Sequence, residues 1–495
     1  MDRCTVQQTL GTLYGRVASK KNVRESSHAR ASLDIGGCTM ASARSRAESS
    51  SLEAILDGTI EEFFENVWQR SCSLQGRSIE PALEPSLFRT PSQLEIEDDS
   101  NPYLELVRHG WSVLLDLIER AQAESENADG WSEKTAIVFR NRAALPPPEQ
   151  QACYGSSLFA AFLDGCSIVV NHADLYSPHI ALLCHDLQRS FPHAYANAYI
   201  TPPSSQAVPP HADDRDVLVI QVYGSKRWKV YSHIPIPYPY SHEQVGKDNL
   251  PIPPHVLQGP LLIDHVLQPG QVLYLPRGYV HEATANNENC SFHVTVALAT
   301  HDWSLAGLVA SQTERVLTNQ VDYRKAVPRE VLDDSPNEWL EQQLQQVWER
   351  LQTEVTAATV QQQYRDNMAR HNQRALALRT KLLQEETSLQ SKRPAGSRPV
   401  TGPAAARRVT LESTIRAARE SEQPPPTESP RGLNVRPESY DALIGILQSI
   451  KGTPQQTYRV RDLLECDGVV CRLTMLCFVK RCVELGAFAL VEESA

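Results

Sequence analysis

The sequence predicts an α+β protein in which helices flank an antiparallel β barrel or sandwich. Between about residues 156 and 299, short β-like runs such as VLVIQVY from Val217 and SFHVTVALA from Ser291 alternate with Pro and Gly turns. Strands separated by turns, without long helices between them, favour this architecture. Outside the region, apolar residues recur at helical spacing. With 495 residues and 41% hydrophobic content, the chain can form about two to four domains with a sizeable core.

Charge and cysteine content argue against several classes of protein. The chain has 48 Lys and Arg against 59 Asp and Glu, a net charge of −11. This balance disfavours binding to nucleic acid by bulk charge, and we expect no direct nucleic-acid readout. No apolar run approaches the roughly 18 residues of a membrane span. The eleven cysteines show no C-x-x-C spacing, which predicts reduced, buried thiols, including the C-terminal group Cys466, Cys471, Cys477 and Cys482.

The first 300 residues divide into a leader and a predicted catalytic domain. Residues 1–50 are rich in Ser, Ala and basic residues and contain one aromatic residue, which predicts a disordered leader or, alternatively, an organellar transit peptide. Residues 51–300 form the predicted catalytic domain. It begins with one amphipathic helix from Ser51 and continues with a second helix over residues 104–122. Prolines 146–148 end this helical region ahead of the strands.

Three further segments are predicted after the strands. Residues 301–385 form a helical module with one apolar face, made of Trp339, Leu340, Leu344, Val347 and Leu351. Residues 386–436 are rich in proline and contain no aromatic residue, which predicts a disordered linker. Residues 437–495 show a helix, a short helix, a longer helix and a terminal strand, a pattern typical of a small winged-helix-like domain. Its slight acidic excess favours protein contact or packing over DNA binding.

The strongest chemical signal is a set of two histidines and one aspartate. HADDRDVLVIQVYGSKRWKVY begins at His211, and PGQVLYLPRGYVHEA contains His281, 70 residues later. Alternate residues of an extended strand point to the same side, so His211 and Asp213 face one way and Asp214 the other. Two histidines and a carboxylate that leave coordination positions open are typical of non-haem Fe(II). We therefore predict His211, Asp213 and His281 as metal ligands and catalytic centre.

Two other histidines compete for this role. His172 and Asp174 form a second H-x-D, but the sequence that follows, SPHIALLCHDL, predicts a helix, so this pair is interpreted as a decoy. His293 lies in the middle of the strand SFHVTV and is an alternative third ligand, although a buried structural role is favoured. The simplest alternative for His211 and Asp213 is a hydrogen-bonded pair at the start of a strand, which the order of the surrounding motifs disfavours.

The motifs NAYITPPSSQAVPPHADDRDVLVIQVYGSKRWKVY, PGQVLYLPRGYVHEA and SFHVTVAL resemble the JmjC-domain oxygenases of the ribosomal-oxygenase group, the bifunctional lysine-specific demethylases and histidyl-hydroxylases. The similarity covers about residues 197–300, and the order of modules agrees over most of the chain beyond residue 50. The resemblance implies a double-stranded β-helix (cupin or JmjC barrel), Fe(II) and 2-oxoglutarate as cofactors, a homodimer formed through the helical module, and a C-terminal winged helix.

The resemblance also implies roles for residues around the metal. Lys226 matches the family's cation for the distal carboxylate of 2-oxoglutarate, a group that must be paired if it is buried. Asn197 and Tyr199 match residues that line the 2-oxoglutarate and substrate pocket, and Thr295 is a weaker match of the same kind. Family members commonly place a serine that bonds the substrate where this chain has Ala297, which leaves the substrate residue open.

These patterns lead to three functional hypotheses. The first is an Fe(II)- and 2-oxoglutarate-dependent dioxygenase that hydroxylates a protein side chain, with a histidyl residue of a ribosomal protein as the substrate implied by the resemblance. The second is a histone N-methyl-lysine demethylase with the same chemistry. The third is a catalytically silent JmjC binding scaffold, which the intact triad and Lys226 disfavour. The resemblance implies a nuclear or nucleolar location, and the cytoplasm or an organelle stays open.

Overall fold

The structure is a computed structural model of the chain. It describes residues 50–79, 101–127, 135–155, 157–247, 250–287, 289–332, 337–391, 409, 413–419, 433–464 and 471–491, all within one compact unit. The predicted leader up to residue 49 and most of the predicted linker lie outside these residues. None of the described helices combines the length and the apolar character that a bilayer span requires.

Two antiparallel sheets form the barrel. Its strands are β1 Ser73–Gln75, β2 Ala136–Arg140, β3 Ala143–Ala144, β4 Ser167–Val170, β5 Tyr195–Thr201, β6 Asp216–Tyr223, β7 Lys226–Tyr231, β8 Leu261–Leu267, β9 Val272–Leu275, β10 His281–Ala285 and β11 Ser291–Ala299. The larger sheet has the order β1-β9-β6-β11-β5-β4-β2-β3, and the smaller sheet has the order β10-β7-β8. Two facing antiparallel sheets confirm the predicted α+β fold with a double-stranded β-helix of the cupin type.

Burial on both faces explains why β6 reads as an almost continuous apolar run. Val217 and Val219 point into the barrel and pack with Trp228 of β7, whereas Leu218 and Ile220 point outward into a second core beneath the helices. Alternate residues of a strand face opposite sides, so a strand covered on both sides is apolar at every position. This layering places the candidate site inside the barrel and the helices outside it.

Short helices cover the outer face of the larger sheet. They span Ser51–Ile55, Ile60–Asn66, Pro102–Arg108, Gly110–Asn127, Pro147–Tyr154, Leu158–Leu163 and Pro178–Leu187, and a further short helix at Pro254–Leu257 lies between β7 and β8. The single helix predicted from Ser51 is wrong, because Thr59 starts a new helix through a capping box with Glu62. The helix predicted over residues 104–122 is also two helices. The chain turns at His109, and Gly110 begins the second helix close to β6, where a Cβ atom would lie 2.7 Å from the Val222 carbonyl oxygen.

An aromatic cluster fixes the first helices to the barrel. Phe63 is 2% exposed and its ring lies edge-on to Tyr274 of β9, with the centroids 5.2 Å apart. Trp68 stacks on Tyr274 at 5.6 Å and contacts Phe191 at 5.1 Å. Aromatic pairs in such geometries add about 0.5–1.5 kcal/mol each beyond area burial. The prediction that these helix aromatics belong to the core is confirmed.

The helical module consists of the helices Leu305–Thr318, Glu338–Glu354 and Ala357–Ser391, so its last helix extends past the predicted boundary at residue 385. The ring of His371 in that helix lies 4.2 Å from the ring of His193, just before β5. The helix Glu338–Glu354 has no buried residue. Its predicted apolar face is therefore uncovered in a single chain.

The C-terminal module contains a small sheet with the order β13-β12-β14, formed by β12 Thr414–Ala417, β13 Tyr458–Arg459 and β14 Phe488–Leu490, and the helices Pro437–Gly452, Val460–Leu463 and Arg472–Glu484. β12 lies in the range predicted as a linker, so the module takes up chain from before residue 437. The missed strand is only four residues long, too short to show a clear alternation. The module packs on the catalytic domain, where Lys480 Nζ lies 2.7 Å from Glu119 and 4.9 Å from the Phe159 ring.

Candidate metal centre

Two backbone hydrogen bonds bring the distant histidines together. The His211 N–H donates to the His281 carbonyl over 3.1 Å, and the His281 N–H donates to the His211 carbonyl over 2.9 Å. This antiparallel bridge joins the segment before β6 to the first residue of β10. Asp213 lies two residues after His211, and its carboxylate reaches the same point. The backbone thus holds all three side chains at one end of the barrel.

The three side chains converge on a small volume. His211 Nε2 lies 3.6 Å from Asp213 Oδ1, and His281 Nε2 lies 3.7 Å from Asp213 Oδ2. One ligand atom from each residue falls within 4.8 Å of the others, and in the described part of the chain no further set of three metal-binding side chains does so. Ligands of one octahedral metal ion are separated by about 3 Å when each bond is near 2.1 Å. The spacing therefore fits a single small cation after slight closure.

The hydrogen bonds of the histidines favour the metal-binding tautomer. His211 Nδ1 lies 2.8 Å from the Pro209 carbonyl oxygen, and His281 Nδ1 lies 3.0 Å from the Tyr279 carbonyl oxygen. Because a carbonyl oxygen only accepts, these contacts assign the proton to Nδ1 in both rings. Each Nε2 then presents a lone pair to the centre, opposite a carboxylate. Only a cation relieves three converging electron-rich groups, so the donor set fits a divalent metal.

Burial and nearby charges set the ionisation states of the same three side chains. It lowers the pKa of His211 to about 3, helped by the charges of Lys247 and His281, and it also lowers the pKa of His281. Both rings are therefore neutral at pH 7. For Asp213, burial opposes ionisation, but Lys247 and the two histidines lower its pKa well below the usual value. The site contains two neutral imidazoles and one carboxylate, the ionisation state that an Fe(II) site requires.

Lys247 is a site residue that the sequence pattern does not indicate. Its Nζ donates to Asp213 Oδ1 over 2.6 Å and to Gln244 Oε1 over 2.9 Å. The lysine lies in the long connection between β7 and β8, far from Asp213 in sequence, and no motif surrounds it. Gly246 permits the close approach: its φ is +85°, and a side chain there would collide with the Pro210 carbonyl.

A cavity extends from the metal cluster into the barrel. Lys226 lines it and is only 2% exposed. Its Nζ donates to Thr201 Oγ1 over 3.1 Å, and within the described residues no carboxylate lies at ion-pair distance. Burial lowers the pKa of Lys226 to about 7. A buried ammonium without a counter-ion is unfavourable, so the cavity is suited to an anionic ligand such as the distal carboxylate of 2-oxoglutarate.

The other predicted pocket residues share the interior face of β5 and β11. Tyr199 and His293 are directly opposite and stack with ring centroids 4.7 Å apart, and both line the cavity together with Thr295. Asn197 lies opposite Thr295, but its Oδ1 accepts a hydrogen bond from the His172 N–H instead of lining the cavity. His293 lies apart from the metal cluster, so the geometry favours the three predicted ligands over this alternative.

The second H-x-D pair, His172 and Asp174, and the neighbouring Asp214 are held by local hydrogen bonds away from the metal cluster. His172 takes a left-handed conformation with φ 48° before a short 3-10 helix, and Asp174 Oδ1 accepts the Ala196 N–H over 2.9 Å. The helix predicted after this pair is confirmed at Pro178–Leu187. Asp214 turns away from the metal cluster, yet it is buried and accepts hydrogen bonds from Arg215 and Ser241. None of these carboxylates completes a second metal site.

The fold and the site together define a JmjC-domain protein. Residues 172–305 match the family model described as JmjC domain. This range contains all three predicted metal ligands, Lys226 and the other residues that line the cavity. The chain therefore carries a JmjC domain.

Relatives of this chain include the bifunctional lysine-specific demethylase and histidyl-hydroxylase NO66 of several animals. The Drosophila melanogaster protein is 30% identical over 273 residues, which are 54% of this chain and 36% of that protein. The Branchiostoma floridae protein is 25% identical over 277 residues, 55% of this chain and 37% of that protein. The Drosophila willistoni protein is 36% identical over 154 residues, which are 31% of this chain and 18% of that protein. The chain spans about a third of the length of the curated relatives it matches, or less.

Among solved structures, Escherichia coli ycfD matches with a TM-score of 0.38 and 16% identity, covering 88% of this chain and 99% of that chain. The E. coli ribosomal oxygenase YcfD in complex with cobalt and 2-oxoglutarate matches with a TM-score of 0.36 and 15% identity, with the same coverage. Similarity at this level is too weak to assign a function.

Proposed function

We propose that this chain is an Fe(II)- and 2-oxoglutarate-dependent dioxygenase that hydroxylates a protein side chain. One observation carries the proposal: a His-Asp-His cluster and a buried ammonium, with no carboxylate partner among the residues that the structure describes, line the same cavity. A cation site alone fits many metalloproteins. A cation site facing an anion site inside a cupin barrel fits a chelating dicarboxylate, which has one end for the metal and one for the lysine.

Each residue of the site has a defined task in this reaction. His211, Asp213 and His281 would hold Fe(II), which would supply oxygen activation coupled to the decarboxylation of 2-oxoglutarate. Lys226 pairs with the distal carboxylate and so fixes the orientation of the co-substrate. His281 and Lys226 are buried and His211 and Asp213 are only partly exposed, which limits water in the site and strengthens the electrostatic contacts there.

The protein substrate is the open part of the proposal. The relatives' name combines a histidyl-hydroxylase with a lysine-specific demethylase, so a histidyl side chain is the leading substrate class and N-methyl-lysine is the second. We propose a ribosomal protein as the source of the first and a histone as the source of the second. Hydroxylation of a ring or chain carbon leaves a stable alcohol, whereas hydroxylation of an N-methyl carbon releases formaldehyde. The product therefore distinguishes the two.

The test is mass spectrometry of ribosomal proteins and methylated histone peptides after incubation with the protein, Fe(II), ascorbate and 2-oxoglutarate. We expect a gain of one oxygen on a histidine in the wild type and in a His172→Asn control, and none in His211→Ala. A mass loss of one methylene from methyl-lysine would instead favour demethylation. If the protein forms no succinate from 2-oxoglutarate, with or without a protein substrate, the dioxygenase proposal is wrong and the silent scaffold is favoured.

We also propose a homodimer formed through the helical module. On the predicted face of the helix Glu338–Glu354, Trp339 is 42% exposed and Leu344 46%, and Trp348 beside that face is 59% exposed. A second copy would cover this apolar surface. Light scattering after size exclusion should give about twice 55.2 kDa, and Trp348→Asp should shift it toward the monomer. A wild-type monomer would contradict the dimer. A nuclear or nucleolar location stays a prediction, and imaging of the tagged chain tests it against cytoplasm and organelles.

A further inference from the structure

The loop of residues 202–210 connects the lysine end of the candidate site to its metal end. It begins directly after Thr201, the hydrogen-bond partner of the buried lysine, and ends directly before the metal ligand His211. Between these points Ala207, which is 2% exposed, and Val208 line the cavity. The conformation of the loop therefore shapes the wall of the proposed co-substrate pocket.

The loop contains no helix or strand, so individual contacts hold it in place. Ser204 has a φ of 56°, a left-handed conformation that a non-glycine residue keeps where its surroundings impose it. Its N–H donates to the Asn286 carbonyl over 2.9 Å, and the Ala285 N–H donates to the Ser205 carbonyl over 2.9 Å. These two bonds tie the middle of the loop to the end of β10.

A further contact reaches the loop from the C-terminal module. Arg436 directly precedes the helix Pro437–Gly452, and its Nη1 donates to the Pro203 carbonyl oxygen over 2.6 Å. A bond of this length from a charged donor is strong, whereas the Ser205 hydroxyl donates to the same oxygen over 3.3 Å. The Pro203 carbonyl belongs to the peptide group that precedes Ser204, so Arg436 holds the peptide plane next to the left-handed residue.

Arg436 is itself held against the catalytic domain. Its backbone N–H donates to the Leu163 carbonyl over 3.3 Å, and its side chain passes over Gly165. Gly165 has a φ of +87°, and a Cβ atom there would lie 2.9 Å from the Arg436 Cγ. The Nε atom also lies 3.5 Å from Glu438, whose side chain is 61% exposed, so this ion pair is weak. The arginine therefore reaches the loop from a fixed position.

We propose that Arg436 is a positioning residue through which the C-terminal module sets the shape of the co-substrate pocket. This role rests on the proposed function, since the pocket is the one assigned to 2-oxoglutarate. Pro202 and Pro203 each have a fixed φ, so the chain before the Pro203 carbonyl cannot easily absorb a shift. Loss of the anchor therefore moves the residues that follow, which include Ala207 and Val208 on the cavity wall.

The metal end of the loop is fixed independently of Arg436. His211 exchanges two backbone hydrogen bonds with His281, and the Ala212 N–H donates to the Val245 carbonyl over 2.8 Å. These contacts come from the barrel and from the connection between β7 and β8, and they do not involve the C-terminal module. Losing the arginine should therefore weaken the binding of 2-oxoglutarate and leave the binding of metal intact.

The experiment measures by calorimetry the binding of Mn(II) to the full chain, and then of 2-oxoglutarate to the Mn(II)-loaded chain. Arg436→Met keeps an unbranched stem over Gly165 and removes the guanidinium. We expect it to bind 2-oxoglutarate about five- to tenfold more weakly, with an unchanged affinity for Mn(II). Arg436→Lys, which keeps a charged donor, should recover part of the loss. Glu438→Gln is the matched control: it removes the ion pair of Arg436, keeps the bond to Pro203, and should bind both as the wild type does.

Two further measurements separate positioning from a general loss of stability. Hydrogen exchange in the metal-free chain should be faster in Arg436→Met than in the wild type over residues 204–208, and unchanged over β6. In uncoupled turnover to succinate with Fe(II), the KM for 2-oxoglutarate should rise by the factor seen in calorimetry, with kcat unchanged. A merely structural role would lower the affinity for metal and the amount of active protein together.

Faster exchange in the loop with unchanged affinity for 2-oxoglutarate would overturn the proposal, because the pocket would then be independent of the arginine. A joint loss of Mn(II) and 2-oxoglutarate binding in both Arg436 variants would also overturn it. If the wild type binds no 2-oxoglutarate, the proposed function fails. Exchange in the loop still decides in that case whether Arg436 holds it, and equal exchange in the variant and the wild type would contradict that.

Discussion

Replacing Lys226 with methionine should raise the free energy of unfolding of the unliganded protein and weaken its binding of 2-oxoglutarate. Burial lowers the pKa of Lys226 from its usual 10.5 to about 7, and each unit corresponds to about 1.36 kcal/mol. Holding the ammonium charged in the unliganded cavity therefore costs up to about 5 kcal/mol. Below pH 7 both the folded and unfolded chains carry this charge, so the full penalty applies. Between pH 7 and 10.5 only the unfolded chain binds the proton, so wild-type stability rises with pH.

The affinity for 2-oxoglutarate should be higher in the wild type than in Lys226→Met, the reverse of the order expected for stability. A buried carboxylate that loses its partner is destabilised by about 3–5 kcal/mol, which corresponds to 2-oxoglutarate binding that is roughly 150- to 5,000-fold weaker in Lys226→Met. The bound carboxylate requires the charged lysine. Above pH 7 wild-type affinity should therefore fall by about tenfold per unit, as the unliganded protein loses that proton. Neighbouring His293 stays neutral in this range, because burial and then Lys226 lower its pKa well below the usual value.

Urea unfolding at several pH values and calorimetric titration of 2-oxoglutarate in the presence of a redox-inert divalent metal measure both effects. Lys229→Met is the matched control, since Lys229 lies on the same strand but does not line the cavity, and its Nζ is paired with Glu282 at 3.3 Å. We expect the control to keep the wild-type pH dependence of affinity. Equal affinity of Lys226→Met and wild type, or an affinity independent of pH in both, would refute the assignment of Lys226 as the carboxylate anchor.

Three further outcomes test the site and the core. His211→Ala should lose high-affinity divalent metal binding in calorimetry while His172→Asn keeps it; equal loss in both would contradict the choice between the two H-x-D motifs. Lys247→Met should bind metal about tenfold more tightly, because a partly screened cation no longer opposes the ion at Asp213; unchanged or weaker binding in the same titration would contradict this. Phe63→Ala should lower the free energy of unfolding in urea by about 3–5 kcal/mol, and a loss below 1 kcal/mol would show that the cluster repacks.

The barrel and the metal cluster were predictable because their signals are local. Val217 to Tyr223 alternate between two buried faces, so the strand is visible as an apolar run. His211 and Asp213 are only two residues apart, so they lie close together although they precede β6, with His211 in an isolated bridge to His281 and Asp213 outside any strand. His281 needed the order of motifs, because the hydrogen bonds that join it to His211 connect segments 70 residues apart.

The misses have equally physical causes. Apolar periodicity continues across Gly58 and Thr59, so it does not show that the Thr59 capping box starts a second helix. The break at His109 is followed by Gly110, where Val222 leaves no room for a side chain. This is a tertiary contact that the sequence does not display. Lys247 reaches Asp213 from a loop for the same reason. Periodicity predicts which face of an element is buried, and it contains no information on what approaches that face.

The register of β11 locates the effect of Ala297. Its first residue, Ser291, lies opposite Thr201, the hydrogen-bond partner of Lys226, whereas Ala297 lies opposite Val217, near the metal end. A dicarboxylate that joins Lys226 to the metal would lie along the first part of this strand, and Ala297 would come after it, on the side that a protein substrate must reach. Ala297→Ser should therefore change the activation free energy for some candidate protein substrates relative to others by about 1–3 kcal/mol, through one hydrogen bond. The KM for 2-oxoglutarate should stay unchanged. A change confined to that KM would place Ala297 beside the co-substrate and contradict this orientation of the site.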